Sequence, residues 1–108
     1  MSVKTLNGHI EITEGIVGGK PRISGHRITV QNIVIWHEML GRSADEIAAD
    51  YDLTLADVYA ALAYYHDNRR QIDKSIHEQE AFIEALRQKT SSKVEKKLKE
   101  KIFQIQTA

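Results

Sequence analysis

Hydrophobic and polar positions change their period along the chain. Residues 9–12 alternate in polarity, and four glycines and Pro21 punctuate the stretch that follows, up to Ser24-Gly25. Alternation is typical of a strand, and a glycine between two short apolar arms favours a tight turn. We therefore predict a small β-hairpin with arms at residues 21–23 and 26–29. From Val30 the spacing becomes helical as far as Leu40, and Gly41 is suited to end that helix.

Two capping signals follow this helix. Ser43 precedes Glu46 by three residues, and Thr54 precedes Asp57 by three. A hydroxyl three residues before a carboxylate is the capping box that opens a helix. The spacing predicts a short helix that ends near Tyr51, a turn at 50–53, and a third helix from Thr54. With the helix at 30–40, this is the layout of a helix-turn-helix.

The apolar positions after Thr54 fall into heptads. The spacing is 3-4-3-4 without a break at Leu55, Val58, Leu62, Tyr65, Arg69, Ile72, Ile76, Gln79, Ile83 and Leu86. This pattern predicts one long helix of about 46 Å, which is longer than a three-helix core is wide. Part of its seam must meet another chain or a terminal helix, so we expect a homodimer. The pattern stops at 90–92, and Ser92 with Glu95 predicts a fresh helix start.

Composition narrows the class of protein. The 108 residues carry no net charge, but residues 42–68 hold one arginine against six carboxylates, and positive charge gathers towards both ends. The chain lacks cysteine, a membrane-spanning apolar run and a signal pattern, so we expect a cytoplasmic protein. Five scattered histidines offer no metal-ligand spacing, and no catalytic constellation is present. We expect no enzyme, no metal and no cofactor.

Two segments carry a resemblance to a known family. GGKPRISGHRITV at 18–30 and LGRSADEIAADYDLTLADVYAALAYY at 40–65 resemble small prokaryotic domains of unknown function that are grouped with the DNA-binding parts of VapB-type antitoxins. The resemblance implies a mainly α fold, with a homeodomain-like three-helix core after an N-terminal β-hairpin. It also implies an antitoxin that represses its own operon and neutralises a PIN-type nuclease toxin. The segment from Asp67 onward lies outside it, so we divide the chain into a domain at 1–66 and a long C-terminal helical extension at 67–108.

Candidate DNA contacts lie mostly on the hairpin and at the mouth of the second helix. Glycines 18 and 19 would let backbone N–H groups approach phosphates, beside the candidates Lys20, Arg22, Arg27, Arg42 and Thr54. The alternative is that these are ordinary surface charges on a hairpin. The third helix offers no arginine or asparagine to read base edges, and Asp57 would repel phosphate. A competing function is therefore a protein-interaction module that masks a partner without binding DNA.

Candidate partner contacts lie in the extension. The apolar seam and the terminal helix would present Ile72, Ile76, Ile83, Leu86, Leu98 and Ile102 to a partner. The alternative is that the terminal helix folds back and covers the seam of its own chain.

Overall fold

A computed structural model describes the backbone of residues 2–107 and the side chains of residues 2–90. The chain is mainly helical with a small antiparallel sheet at its N-terminus, as predicted. The elements are β1 (Ser2–Thr5), β2 (Ile10–Thr13), β3 (Arg22–Ile23), α1 (Val30–Val34), α2 (Ala44–Tyr51), α3 (Leu55–Asp67) and α4 (Arg69–Thr107). Two compact units divide the chain. We call Met1–Ile76 the N-terminal unit and His77–Ala108 the C-terminal unit.

The sheet has the order β1-β2-β3, with β2 in the centre. Its register sets Ile10 opposite Ile23 and Glu11 opposite Arg22. Both isoleucines are fully buried, which ties the sheet to the core. The alternation at 9–12 predicted β2, and this is confirmed. Strand β1 was not predicted, because all four of its side chains are exposed and no burial pattern marks it.

The predicted hairpin forms, but its second arm is short. The His26 N–H donates to the Ile23 carbonyl at 3.0 Å across the Ser24-Gly25 turn, and Gly25 takes a φ of +78°. A side chain rarely adopts that φ, so glycine suits the turn. Beyond it, only an isolated bridge joins Arg22 to Thr29. The arm ends there because Thr29 is already the N-cap of α1.

The predicted helix at 30–40 is confirmed, with a change of winding. After α1 the backbone continues as a π-helical turn at Ile35–Met39, in which the Leu40 N–H donates to the Ile35 carbonyl. The chain then turns at Gly41. The indole ring of Trp36 stacks on the ring of Tyr51, with centroids 4.1 Å apart and an interplanar angle of 1°. This stack joins the π-helical turn to the end of α2.

Both predicted caps are present. The Ser43 hydroxyl accepts from the Glu46 backbone N–H at 3.1 Å. Thr54 and Asp57 exchange two such bonds, the full capping box. Helices α2 and α3 are joined by a short turn in which Asp52 has a left-handed φ of 54°. Asparagine and aspartate tolerate that conformation better than most residues.

The prediction of one unbroken helix from Leu55 to Leu86 is wrong. Helix α3 ends at Asp67, and its C-cap Asn68 has a φ of −130° and a ψ of 38°. The Asn68 side chain donates to the Tyr64 carbonyl at 3.0 Å and caps α3, while its own carbonyl accepts from Ile72 at the start of α4. The predicted stop at 90–92 is also wrong, since α4 runs without interruption to Thr107.

The core of the N-terminal unit draws on nearly every element before residue 77. Its fully buried side chains come from β2, β3 and the first three helices: Ile10, Ile23, Val30, Ile33, Val34, Ile47 and Val58. Ile72 and Ile76 from α4 complete it. The compact unit therefore extends to Ile76, whereas the sequence suggested a boundary after His66.

Candidate functional site

Arg22 lies inside the N-terminal unit. The residue is 7% exposed. Its guanidinium donates to the His26 carbonyl at 2.9 Å and to the Thr13 hydroxyl at 3.2 Å, and it lies 3.5 Å from a carboxylate oxygen of Glu11. The side chain holds the sheet and the hairpin turn together. We therefore remove Arg22 from the set of exposed phosphate contacts.

The remaining predicted DNA contacts differ in exposure and in pairing. Lys20 and Arg27 are exposed. Arg42 forms an ion pair with Asp50, and its guanidinium lies 5.9 Å from the centre of the Tyr51 ring. The charge of Arg42 is therefore already paired at the end of α2. The Gly19 N–H, expected to approach phosphate, donates instead to the Ile16 carbonyl at 2.9 Å.

Thr54 caps α3, and the pKa of its capping partner Asp57 is lowered. Burial raises the pKa of Asp57, but hydrogen bonds from His9 and Thr54 outweigh it and bring the pKa below its ordinary value. The His9 Nδ1 atom lies 2.8 Å from an oxygen of Asp57. Asp57 is therefore negatively charged at neutral pH, at the N-terminus of the helix that would read DNA.

Helices α2 and α3 contain no lysine or arginine. Their carboxylates are Asp45, Glu46, Asp50, Asp57 and Asp67. A sixth, Asp52, lies in the turn between the two helices. All of these side chains are exposed except that of Asp57, which is partly buried. The surface of this helix pair is acidic, which is the wrong sign for phosphate.

The predicted partner seam divides into two parts. Ile72 and Ile76 are buried in the core of their own unit and are unavailable to a partner. Ile83 and Leu86 are exposed by 38% and 48%. Leu98 and Ile102 lie outside the residues whose side chains the structure describes.

Phe82 belongs with the exposed pair and was missed. Its side chain is 66% exposed, and it lies beside Ile83 and one turn before Leu86. We call Phe82, Ile83 and Leu86 the Phe82 face. The heptad pattern predicts contacts only at its a and d positions. Phe82 flanks the seam, at a position that also touches the partner in a coiled coil.

Further large apolar side chains are exposed on the N-terminal unit. Met39 ends the π-helical turn and Leu40 follows it, and Leu55 and Tyr59 lie on α3. Leu55 was predicted as a seam position, but α3 turns this side chain outward. Exposed apolar groups of this size on an acidic surface favour a protein partner over nucleic acid.

A small pocket of about 200 Å³ lies between the glycine turn and the first turns of α4. Gly18, Gly19 and Lys20 line one side, and Gln71 and Ser75 line the other. The Ser75 hydroxyl and the buried Gln31 amide oxygen are 2.6 Å apart. This bond anchors α4 to α1, which gives the polar lining a structural role.

Neither a metal-binding cluster nor a membrane-spanning helix is present among the residues that the structure describes. No group of three or more histidine, aspartate or glutamate side chains there could hold a metal ion. No helix there combines the length and apolar character that spanning a bilayer requires.

The comparison with protein families decides the assignment. The model of a family described as a protein of unknown function, DUF433, matches residues 10–65, more than half of the chain. This chain belongs to the DUF433 family. The crystal structure of a DUF433 member protein from Anabaena variabilis ATCC 29413 is similar, with 40% sequence identity and a TM-score of 0.60. The match covers 64% of this chain and 68% of that one. None of the curated proteins compared with the chain matches it.

The DUF433 match corrects the assignment made from sequence. The segments at 18–30 and 40–65 lie inside the matched region, but the matching family is DUF433 and no VapB-type antitoxin family matches. Assignment to the VapB-type antitoxins is therefore wrong. The antitoxin role and the PIN-type nuclease partner rested on that resemblance, and they stay untested predictions.

Proposed function

We propose that this DUF433 protein is a protein-interaction module that binds a helical partner through the Phe82 face. One observation carries the proposal. Every side chain from residue 80 to residue 90 is exposed, including all three large apolar residues of that face. A helix that leaves such residues in water is stabilised when a partner covers them, because burial of apolar area is favourable.

Electrostatics supports a protein partner over DNA. The two helices that would dock on a duplex carry only carboxylates among their charged side chains other than His66. Two of the proposed phosphate contacts, Arg22 and Arg42, are engaged within the chain. Binding to nucleic acid depends on several free cations that replace counterions on the phosphates.

Photo-crosslinking tests the proposal directly. A photoreactive phenylalanine derivative at position 82 of the full-length chain should give adducts of discrete mass in the cells that express it. The same group at Val3, an equally exposed apolar residue on β1, is the matched control. Discrete adducts from position 82 alone support the proposal. Absence of adducts from position 82, or the same adducts from both positions, would overturn it.

A second candidate is DNA binding by a homeodomain-like helix-turn-helix. The supporting observation is the helix pair itself. Both α2 and α3 open with side-chain caps, a short turn joins them, and they pack with α1 around Ile33, Ile47 and Val58. Lys20 and Arg27 would contact phosphates from outside this core, and the natural target would be the operator of the protein's own operon.

Charge reversal tests the DNA candidate. The Lys20→Glu/Arg27→Glu double variant should lose binding to the DNA upstream of its own gene in an electrophoretic mobility assay. Reversal of Lys4, an exposed lysine on β1, is the control and should leave binding unchanged. Wild-type binding should also weaken steeply as salt rises. A wild-type protein that does not bind, or that binds as well after both reversals, eliminates this candidate.

A further inference from the structure

We infer that the partner of the Phe82 face is a second copy of this chain, docked with its α4 antiparallel to the first. The inference rests on the proposed interaction function and names its partner. Gln79, Ile83, Leu86 and Thr90 follow the 4-3-4 spacing of a coiled-coil seam. All four lie on α4 after the end of the N-terminal unit. Ile83 and Leu86 of this seam are exposed, whereas Ile72 and Ile76 are buried in the core of the N-terminal unit.

Antiparallel pairing matches the apolar positions. In the heptad, Ile83 and Thr90 occupy a positions, and Gln79 and Leu86 occupy d positions. In an antiparallel pair an a position faces a d position of the other helix. Ile83 then faces Leu86 of the second copy, and Leu86 faces Ile83. Gln79 faces Thr90 at each end, so two apolar layers are closed by two polar ones. Phe82 flanks the seam and covers its edge.

Charge complementarity selects this orientation. Glu80 and Arg87 both occupy the e position of the heptad and are seven residues apart. In an antiparallel pair e positions face e positions, so Glu80 of each copy meets Arg87 of the other. In a parallel pair the e positions face g positions, which are Ser75 and Phe82 here. Only the antiparallel pair gains two ion pairs between chains.

Glu80 is available for this role. Its nearest ion-pair partner among the described side chains is His77, with 3.9 Å between Nδ1 and the carboxylate oxygen. That contact is charged only when the histidine is protonated. A guanidinium is always protonated and offers several donors, so Arg87 of a second copy is the stronger partner.

Sedimentation equilibrium of the full chain tests the pairing. Wild type should self-associate between about 10 and 500 µM, a range typical of a short interface. Glu80→Arg alone and Arg87→Glu alone should each weaken dimerisation about fivefold or more, because two attractive pairs become repulsive. The double variant Glu80→Arg/Arg87→Glu should restore wild-type affinity. Glu84→Arg makes the same charge change at a position off the seam and is the control.

Because the chain has no cysteine, single introduced cysteines can report the relative orientation of the two α4 helices. An equimolar mixture of Ile83→Cys and Leu86→Cys chains should form the mixed disulfide preferentially on mild oxidation, identified by a mass tag on one chain. Disulfides between like chains only would indicate a parallel pair and overturn the inference. A wild-type monomer at about 500 µM, or single reversals without effect, would also overturn it.

The crosslinking experiment separates failure of this inference from failure of the proposed function. Adducts from position 82 with twice the mass of the chain support self-docking. Discrete adducts of other masses alone would overturn self-docking and leave the interaction function standing. No adducts would remove both.

Discussion

Arg22 and Arg27 show how differently two arginines of one hairpin are used. The first is buried against three neighbours that belong to strand β2 and the hairpin turn, and the second is exposed. A buried guanidinium needs partners for its charge and its N–H groups, because a buried charge without partners is strongly destabilising. We therefore expect these two positions to respond oppositely to the same substitution.

Arg22→Ala should lower the free energy of unfolding by about 2–3 kcal/mol, because the His26 carbonyl and the Thr13 hydroxyl lose their donor and Glu11 loses its ion-pair partner. Arg27→Ala is the matched control and should change it by less than about 0.5 kcal/mol. Urea denaturation followed by circular dichroism measures both. Equal effects of the two variants would show that the buried contacts of Arg22 contribute nothing to stability.

The lowered pKa of Asp57 predicts that the free energy of unfolding depends on pH. Its pKa in the folded chain lies below the ordinary value of 3.8, so its contribution to stability is fully present above that value. The contribution is lost as the pH falls through the folded pKa, because the protonated carboxyl no longer accepts from His9 and Thr54. Wild type should therefore lose more stability than Asp57→Asn between pH 6 and pH 3, in denaturation curves at each pH. Parallel losses in the two proteins would contradict the prediction.

The distinction between Arg22 and Arg27 could not be read from sequence. Glu11 and Arg22 come together only through the register of β2 and β3. That pairing depends on contacts between residues distant along the chain, and on the burial of Ile10 opposite Ile23. Local signals were more reliable. Ser43, Thr54 and Gly41 each act within one helical turn, and each marks a helix end as predicted.

The heptad pattern was correct in spacing and wrong in continuity. Apolar periodicity reports that a helix face is covered, but it does not say by what. Before Ile76 the cover is the chain's own core, and Asn68 breaks the helix where α4 must dock on that core. One asparagine within a strong helical pattern is a weak signal, because its capping bond to Tyr64 depends on the final packing.

Alanine substitutions along α4 should separate the two parts of the seam. Ile72→Ala and Ile76→Ala each remove a buried side chain and should cost about 2–4 kcal/mol of unfolding free energy. Ile83→Ala and Leu86→Ala should cost the unassociated chain less than about 0.5 kcal/mol. Denaturation at low micromolar concentration makes the comparison. A large loss from the later pair would mean that the Phe82 face is covered within one chain.

The DUF433 match and the N-terminal unit end at different residues of the chain. The family model ends at residue 65, whereas the N-terminal unit needs Ile72 and Ile76 to close its core. A chain cut at the family boundary would lack Ile72 and Ile76, which belong to that core. The folding unit is therefore longer than the matched region.

Two truncations test the extent of the folding unit. A chain that ends after Gln79 keeps both isoleucines and should melt within a few degrees of the full chain. A chain that ends after Arg70 loses them and should melt about 10 °C lower or more, because two buried side chains are missing. Thermal melts followed by circular dichroism compare the melting temperatures of the two truncated chains with that of the full chain. Similar melting of both truncated chains would place the boundary earlier, near His66.

The stack of Trp36 on Tyr51 gives the chain an optical reporter. Trp36 is the only tryptophan, so all intrinsic indole emission comes from the N-terminal unit. When α2 leaves the π-helical turn, the two stacked, parallel rings separate and the indole meets water, which changes the intensity and wavelength of its fluorescence. The fluorophore thus follows the melting of one compact unit without a label. Its signal can be recorded alongside the sedimentation of the same sample, so that unfolding and self-association are observed independently in one preparation.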